Sequence, residues 1–453
     1  MKTEERRELL WRFVIGLLVL HATGVFAVWL WALSRPHMVD PIEVRVANIV
    51  ALWRDGYLPY NFADRLPAVW NPYGPVYEWL CAFIPSSVHP YWNGRLLSIA
   101  SLILTALAIV VWSRRLTGKF SLGIVASLLL LTAKPIFAFG HLCRVDMFGV
   151  MLSALGFVLI VSNRNRSKIA TMIGVLSMIL AFHVKVTFVA APVACCLALW
   201  REEKFRAIGV GLAWLVGALG GLIALQWWTE GAYLFQAQLA NLPALWTKPI
   251  DMLTRPITSS LFWMLVLILY WRSNKALHIP ESIYCFCNLA VAGITSTNPG
   301  SSWNYLMEFY VAASLLTARI LSSFQQKARA SIIALLLCHS IFSLLHTTYF
   351  MAKNVRKVVK YSQAYKQAQY QIVSLMSSNQ RILLIKSLTG MDALMSFGKV
   401  NLIDLPKELT PKSEELARGA LQIGEIDAVF VGDELTPMQS TKERQKLKIL
   451  KAN

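Results

Sequence analysis

Long runs of apolar residues without a charged side chain constrain this chain more than any other feature of its sequence. The first run covers residues 13–33, FVIGLLVLHATGVFAVWLWAL, and holds no Asp, Glu, Lys or Arg. About 20 such residues in a helix span the hydrocarbon core of a bilayer. Of the 453 residues, 56% are hydrophobic and only 15% are charged, with a mean hydropathy of +0.50. A soluble globule could not cover that much apolar surface, so we expect a polytopic membrane protein.

The basic residues predict how the chain crosses the membrane. The first apolar run follows MKTEERRELLWR and is too long for the core of a signal peptide, which predicts an uncleaved span with a cytoplasmic N-terminus. Cytoplasmic loops are rich in Lys and Arg. Short basic loops of this type lie at 112–119, 163–168, 201–206, 271–275 and 325–329. We attribute the net charge of +19 to these loops and to anionic lipid headgroups rather than to nucleic-acid binding.

One apolar stretch, residues 169–200, has basic loops on both sides. A single span cannot return to the side on which it started, so we predict two short passes that meet near His183 and Lys185. The pattern then gives about eleven spans. The loops predicted to face the extracytoplasmic side are 34–90, 134–146, 183–185, 227–258 and 297–304.

The last part of the chain has a different character. RILLIK, KVNLID and DAVFVGD are short strand-like runs, with MDALMSF and SEELARGALQI between them at helical spacing. This alternation predicts a small extracytoplasmic α/β domain at 351–453, after a membrane domain at 1–350. The predicted fold class is therefore an all-α polytopic membrane protein with a small C-terminal α/β domain. The tail has no Gly-rich phosphate loop, so we assign it no chemistry.

Two acids follow the first span directly. Asp40, Pro41 and Glu43 have the spacing of a helix start, with Asp as the cap, Pro at the first position and Glu three residues after the cap. A capping box is one interpretation of this pair. The alternative is a site for a general base. A helix cap needs only one acid, whereas this pair beside the bilayer supplies two. Arg45 follows on the same predicted helix.

Further ionisable residues lie at the ends of later spans. Arg144 suits a phosphate or carboxylate because its guanidinium is forked and always charged, whereas Asp146 could simply cap a helix. Lys185 could bind an anion or extend to the membrane interface. Asn304 and Glu308 share a helix face, and an acid inside an apolar span is either functional or half of a buried ion pair.

These polar residues all fall on the predicted outer side, at the ends of different spans. The stretch WNPYGPVYEWL, which contains Tyr73, joins them there and has the Pro, Gly and aromatic residues of an interfacial turn. One polar site at the outer face is the simplest interpretation.

In this order of parts the sequence resembles the GT-C superfamily of membrane glycosyltransferases, which includes protein O-mannosyltransferases and the aminoarabinose transferase that acts on lipid A. The features that carry the resemblance are the acids after the first span, GYLPY, NPYGPVYEWL, the Arg-x-Asp pair, Lys185 and GSSWNY followed by Glu308. The resemblance covers residues 1 to 350. Two departures stand out, because the acids are three residues apart rather than adjacent, and Asn71 stands where a lysine often precedes the proline turn.

The resemblance implies transfer of a hexosyl or pentosyl group from a polyprenyl-phosphate donor to a lipid, glycan or protein acceptor on the extracytoplasmic face, with inversion. Asp40 or Glu43 would be the general base, and Arg144 and Lys185 would bind the donor phosphate. Arg45, Tyr73, Asp146, Asn304 and Glu308 would support the site. No cofactor is required; a divalent metal could bridge acids and phosphate, although no ligand cluster demands one.

Two other classes stay open. A transporter or lipid flippase would place its ionisable residues near the bilayer midplane, often in two repeated halves. A noncatalytic assembly subunit would use its outer tail to bind a partner. The basic loops suit a bacterial inner membrane, although a protein of the endoplasmic reticulum would show the same pattern.

Overall fold

The structure is a computed structural model of the 453-residue chain. It describes residues 3–36, 38–60, 71–85, 88–162, 167–239, 279–297, 303–323, 336–345, 347–349 and 352, together with four short C-terminal strands. Three described helices are long and apolar enough to cross a membrane, at Glu8–Leu33, Trp92–Thr117 and Lys204–Trp228. With the shorter apolar helices between them, they make the chain an integral membrane protein, as predicted.

The described helices follow one another through the first three quarters of the chain. In the first half they are α1 (Thr3–Leu33), α2 (Pro41–Arg54), α3 (Pro75–Phe83), α4 (Trp92–Thr117), α5 (Phe120–Thr132), α6 (Lys134–Phe139) and α7 (Asp146–Val161). Then come α8 (Lys168–Val184), α9 (Ala190–Trp200), α10 (Lys204–Trp228), α11 (Ala232–Leu239) and α12 (Pro280–Thr295), a 3-10 helix (Trp303–Leu306) and α13 (Met307–Ser323). Residues 336–345 are also helical.

Helix α7 is the centre of the bundle, packed against α4, α8, α9 and α13. Its contact with α8 is close because two glycines face each other. A Cβ built on Gly156 would lie 2.8 Å from the carbonyl oxygen of Gly174, and one built on Gly174 would lie 3.1 Å from the carbonyl oxygen of Gly156. The hydrophobic effect does little to hold helices together in lipid, so their association depends on close packing. Small residues such as glycine allow this close approach.

The break predicted within the apolar stretch at 169–200 is present. Helix α8 ends at Val184, and α9 begins at Ala190, so the stretch forms two short helices joined near Lys185. Both helices also contact α10. The two-pass arrangement therefore agrees with the parity of the basic loops.

The predicted outer and inner loops separate to opposite ends of the bundle. At one end, Asp146 at the start of α7 contacts Lys185 just after α8. At the other, Arg206 at the start of α10 donates a hydrogen bond to the Ile160 carbonyl near the end of α7, over 2.9 Å. Which end faces the cytoplasm stays a prediction.

The helical spacing of Ile42, Val46, Ile49, Val50 and Trp53 predicts that α2 lies flat on the outer membrane surface with its apolar face down, but the structure differs. Val44, Val46, Ala47, Ile49 and Val50 are all buried, and they do not lie on one face. The helix is therefore enclosed by protein, with α3 as its main neighbour.

The C-terminal strands form one sheet in the order β2-β1-β3-β4, where β1 is Ile382–Ile385, β2 Asn401–Ile403, β3 Ala428–Val431 and β4 Lys448–Leu450. Strand β1 pairs in parallel with both β2 and β3, and β4 pairs antiparallel with β3. The three strand-like runs of the sequence thus supply β1, β2 and β3. The segments between the strands lie outside the described residues, so the α/β domain stays a prediction, as does the count of about eleven spans.

Candidate functional site

Asp40 caps helix α2 at the edge of the bundle. Its Oδ1 accepts a hydrogen bond of 2.9 Å from the backbone N–H of Ile42 and one of 3.0 Å from Nη1 of Arg144. In the capping box, the side chain also accepts a hydrogen bond from the backbone N–H of Glu43, and it is 24% exposed. The capping box is present, so that interpretation of the sequence is confirmed. The carboxylate of Asp40 nevertheless stays partly exposed, so a ligand can reach it.

Arg144 joins two carboxylates. Besides Asp40, it contacts Asp146, whose Oδ2 accepts a hydrogen bond of 3.1 Å from Nε. Burial would lower the pKa of this guanidinium, but the two carboxylates raise it, so the group stays charged. The Arg-x-Asp pair therefore forms a local ion pair that reaches across to α2.

Asp146 is the centre of the cluster. Its Oδ1 accepts hydrogen bonds from Nζ of Lys185 at 2.9 Å and from Nδ2 of Asn304 at 2.7 Å. The carboxylate thus holds both predicted phosphate-binding cations, Arg144 and Lys185, beside each other. Two cations fixed by one buried anion form an arrangement that a bound phosphate can use without reorganising the side chains.

Aromatic rings surround the ammonium group of Lys185. Its Nζ lies 4.1 Å from the ring centroid of Tyr305 and 5.8 Å from that of Tyr73. Burial would lower the pKa of this lysine, whereas the neighbouring Asp146 raises it above its ordinary value. Lys185 is therefore a permanent cation in a partly apolar setting, where its attraction for a phosphate is less screened than in water.

Glu43, the other candidate base, lies in a different environment. It is fully buried, and Nε and Nη2 of Arg95 each donate to it over 2.8 Å. Backbone N–H groups of Val39, Asp40 and Cys143 fill the remaining positions around both oxygens. Burial alone would raise the pKa of Glu43, but the Arg95 charge and these hydrogen bonds lower it to about 2. Such a carboxylate has no oxygen left for a substrate proton.

Arg95 is the main residue that sequence analysis missed. It lies in the first turn of α4, is fully buried, and donates from Nη1 to the carbonyls of Ala32 at 2.6 Å and Arg35 at 2.7 Å. A signal was present, because a charged residue within an otherwise apolar span is expensive unless it is paired. The Glu43–Arg95 pair therefore ties α2 to the ends of α1 and α4.

Asn71, which stands at the position of the expected lysine, is a buried clamp. Its Nδ2 donates a hydrogen bond of 2.7 Å to Glu78, and its Oδ1 accepts one of 3.1 Å from the backbone N–H of Tyr73. The carbonyl of Tyr73 accepts a hydrogen bond of 2.8 Å from the hydroxyl of Tyr60. Burial raises the pKa of Glu78 well above its ordinary value, because its partner Asn71 is neutral and carries no positive charge to oppose this effect. Both backbone groups of Tyr73 are thus fixed beside Lys185.

The other predicted residues lie around this cluster. Arg45 is half-buried in the first half of α2. Glu308, in the first turn of α13, accepts a hydrogen bond of 2.8 Å from the hydroxyl of Tyr284. Within the described residues, no group of three or more His, Cys, Asp or Glu side chains forms a metal-ion cluster.

The fold is similar to that of ArnT from Cupriavidus metallidurans. The crystal structure of ArnT bound to undecaprenyl phosphate matches with a TM-score of 0.68 and 13% sequence identity, covering 96% of this chain and 98% of that one. The apo state of ArnT matches with a TM-score of 0.67 at 13% identity, covering 96% and 97%. No protein-family model and no curated protein matches the sequence. These matches confirm the fold that the family resemblance predicted.

Proposed function

We propose that this protein is an integral-membrane glycosyltransferase of the GT-C type, which moves a sugar from a polyprenyl-phosphate donor to an acceptor hydroxyl. The observation that carries the proposal is the chain of contacts Asp40–Arg144–Asp146–Lys185, an accessible carboxylate next to two fixed cations. Support comes from the fold, because ArnT with the same fold was crystallised bound to undecaprenyl phosphate.

Arg144 and Lys185 bind the donor phosphate in this mechanism. As the bond between the sugar and the phosphate breaks, the leaving phosphate gains negative charge, and the two cations stabilise the transition state more than the ground state. Asp146 takes no part in bond making. It positions both cations through its two oxygens.

Asp40 is the general base. Its carboxylate accepts the proton of the acceptor hydroxyl while the hydroxyl oxygen attacks the anomeric carbon from the side opposite the phosphate, which inverts the configuration. The transferred group is the hexosyl or pentosyl group that the donor carries. Glu43 takes a positioning role, because its five hydrogen bonds leave it no oxygen for the acceptor.

The rival classes find less support. A transporter or flippase would hold its ionisable residues near the middle of the bilayer. Here Asp40, Asp146 and Lys185 lie at the ends of α2, α7 and α8. A noncatalytic assembly subunit would have no use for a cluster of buried ion pairs that ends at a partly exposed carboxylate. We place the protein in the bacterial inner membrane, with the site and the C-terminal α/β domain on the extracytoplasmic side.

Single-turnover release of polyprenyl phosphate tests the proposal. Purified wild type is mixed with a panel of labelled polyprenyl-phosphate sugars and an acceptor-rich membrane extract, beside Asp40→Asn and Glu43→Gln. We expect release by wild type and none by Asp40→Asn, which remains folded because Asn still caps a helix. A wild type that releases nothing from any donor, or an Asp40→Asn variant as fast as wild type, would refute the proposal.

Glu43→Gln has a different expected outcome in the same experiment. Removing one charge of a buried ion pair leaves Arg95 unpaired and costs about 3–5 kcal/mol. We therefore expect a lower thermal unfolding temperature in detergent, with release by the fraction that stays folded. Unchanged stability together with lost turnover would make Glu43 the base instead.

A further inference from the structure

Helix α11 lies at the same end of the bundle as the polar cluster. Helix α10 begins at the opposite end, where Arg206 donates to the carbonyl of Ile160, and it crosses the bundle before α11 begins. A short turn, residues 229–231, joins the two helices. Helix α11 then packs against Tyr60, which follows α2. The helix therefore lies beside segments that border the site.

The turn before α11 has an unusual backbone. Glu230 has a φ of 51°, a left-handed conformation that is uncommon for a residue other than glycine. Oγ1 of Thr229 accepts a hydrogen bond of 3.1 Å from the N–H of Tyr233, and Oε1 of Gln226 accepts one of 3.0 Å from the N–H of Leu234. Strained backbone of this kind persists only where the surrounding contacts determine it, and it is common near functional sites. The turn therefore fixes the direction of α11.

One face of α11 carries Tyr233 and Gln236, which are three residues apart and both buried. The ring of Tyr233 meets the ring of Tyr60 edge-on, with 5.4 Å between the centroids. Oε1 of Gln236 accepts a hydrogen bond of 2.8 Å from the backbone N–H of Asn71. The same face of one helix thus holds two residues that are eleven positions apart in the sequence.

Both contacts of α11 lead to Tyr73. Tyr60 donates to the carbonyl of Tyr73 over 2.8 Å, and Asn71 accepts from its N–H over 3.1 Å. The ring of Tyr73 lies 5.8 Å from Nζ of Lys185. An apolar ring beside an ammonium group reduces screening by water, so its position influences how strongly the cation attracts a phosphate. Each backbone polar group of Tyr73 is therefore held by a residue that α11 itself holds.

We propose that Gln236 and Tyr233 are positioning residues, which hold Tyr73 beside the cation that binds the donor phosphate. Gln236 acts through Asn71, and Tyr233 acts through Tyr60. Together they raise the affinity of the site for the donor, because a site held in its binding geometry loses less free energy on ordering. The inference rests on the proposed function, since it takes that cation as the phosphate ligand.

Donor kinetics of Gln236→Met test the inference. Methionine has a similar length but no strong acceptor, so the buried N–H of Asn71 loses its hydrogen bond. We expect KM for the polyprenyl-phosphate sugar to rise about tenfold. We expect kcat to stay at the wild-type value, the pattern for a contact that serves binding alone. The Kd for polyprenyl phosphate, measured by equilibrium binding, should rise by the same factor as KM.

Tyr60→Phe tests the second contact. It removes only the hydroxyl that donates to Tyr73 and keeps the ring that packs against Tyr233, so we expect a folded protein with KM raised about fivefold. In a Tyr73→Ala background, Gln236→Met should change KM no further, because the ring on which it acts is gone. A simple loss of stability would not produce this coupling.

Ser127→Ala is the control for stability. It removes a buried hydrogen bond of 2.8 Å to the carbonyl of Ala106, between α5 and α4. We expect a lower thermal unfolding temperature with wild-type KM. A KM raised as much as in Gln236→Met would contradict a specific role for α11.

The outcomes separate the two proposals. Release from no donor by wild type would refute the glycosyltransferase function, whereas the Kd for polyprenyl phosphate would still test the positioning role. Wild-type KM in a folded Gln236→Met variant would refute only the positioning role. Wild-type KM in Tyr60→Phe would also refute it, even if Gln236→Met does not fold.

Discussion

Arg144 connects α2 to α7 because of the shape of its side chain. Nη1 donates to Asp40 and Nε donates to Asp146, so two groups of one planar guanidinium are used in different directions. A lysine ammonium is a single point charge on a flexible stem and cannot reproduce this fork. The position of Asp40, the proposed base, therefore depends on Arg144, which is proposed to bind the donor phosphate.

Arg144→Lys should lower turnover by about 100-fold, the typical loss when one preorganised donor is removed from an anion site. The charge remains in this variant, so the loss would reflect geometry. Single-turnover release of polyprenyl phosphate measures it. The matched control is Arg115→Lys, an exposed arginine near the end of α4 that donates 3.2 Å to Ser162 at the opposite end of the bundle. Equal turnover in both variants would contradict the role assigned to Arg144.

At the scale of elements, the turn at 71–74 is held against the break between α8 and α9. The N–H of Gly74 donates a hydrogen bond of 3.1 Å to the carbonyl of Val184. A Cβ built on Gly74 would lie only 1.8 Å from the carbonyl oxygen of His183. Only glycine permits this approach without a shift of the backbone. The contact fixes Tyr73 next to Lys185, so the fit of two elements sets the wall of the site.

Gly74→Ala should therefore raise KM for the donor several-fold, because the turn must move away from Lys185. The thermal unfolding temperature should fall as well. Gly209→Ala in α10 is the control, since nothing lies within 4 Å of its added Cβ and alanine favours a helix by about 1 kcal/mol over glycine. Wild-type KM in a folded Gly74→Ala variant would show that the turn does not shape the donor site.

At the scale of the whole molecule, the basic loops and the polar site lie at opposite ends of the bundle. Arg115 and Arg206 contact groups near the end of α7, whereas Asp146 and Lys185 meet at its start. Arg319 adds to the former end, where it pairs with the buried Glu281. By the positive-inside rule, the site would face away from the cytoplasm.

Cysteine labelling from each side checks this orientation. In a Cys338→Ser background, which removes the exposed native thiol, Tyr57→Cys should react with a membrane-impermeant maleimide in spheroplasts. Glu202→Cys should react only in inverted vesicles. Both positions are exposed. The reverse pattern would invert the topology and place the site on the cytoplasmic side.

Local patterns in the sequence were enough to predict several features correctly. The apolar runs predict a membrane protein, the basic loops predict the break near Lys185, and the Asp40–Glu43 spacing predicts a capping box. The parity of the crossings also places Asp40, Glu43, Arg144, Asp146, Lys185 and Glu308 on one side of the membrane and predicts one polar site there. Asp40, Arg144, Asp146 and Lys185 are connected by contacts, whereas Glu43 pairs with Arg95 and Glu308 accepts from Tyr284. Each of these predictions depends on residues that are close in sequence or on the parity of membrane crossings.

Only the tertiary structure decided which polar groups are partners. Glu43 and Asp40 are equivalent candidates in the sequence, yet Glu43 is fully buried against Arg95, 52 residues away, whereas the Asp40 side chain stays 24% exposed. Likewise, Asn304 donates to Asp146 across 158 residues, and its Oδ1 has no hydrogen-bond partner among the residues that the structure describes. Such choices depend on which helix ends pack together, and the low dielectric of the interior then makes the difference between a paired and an unpaired carboxylate large.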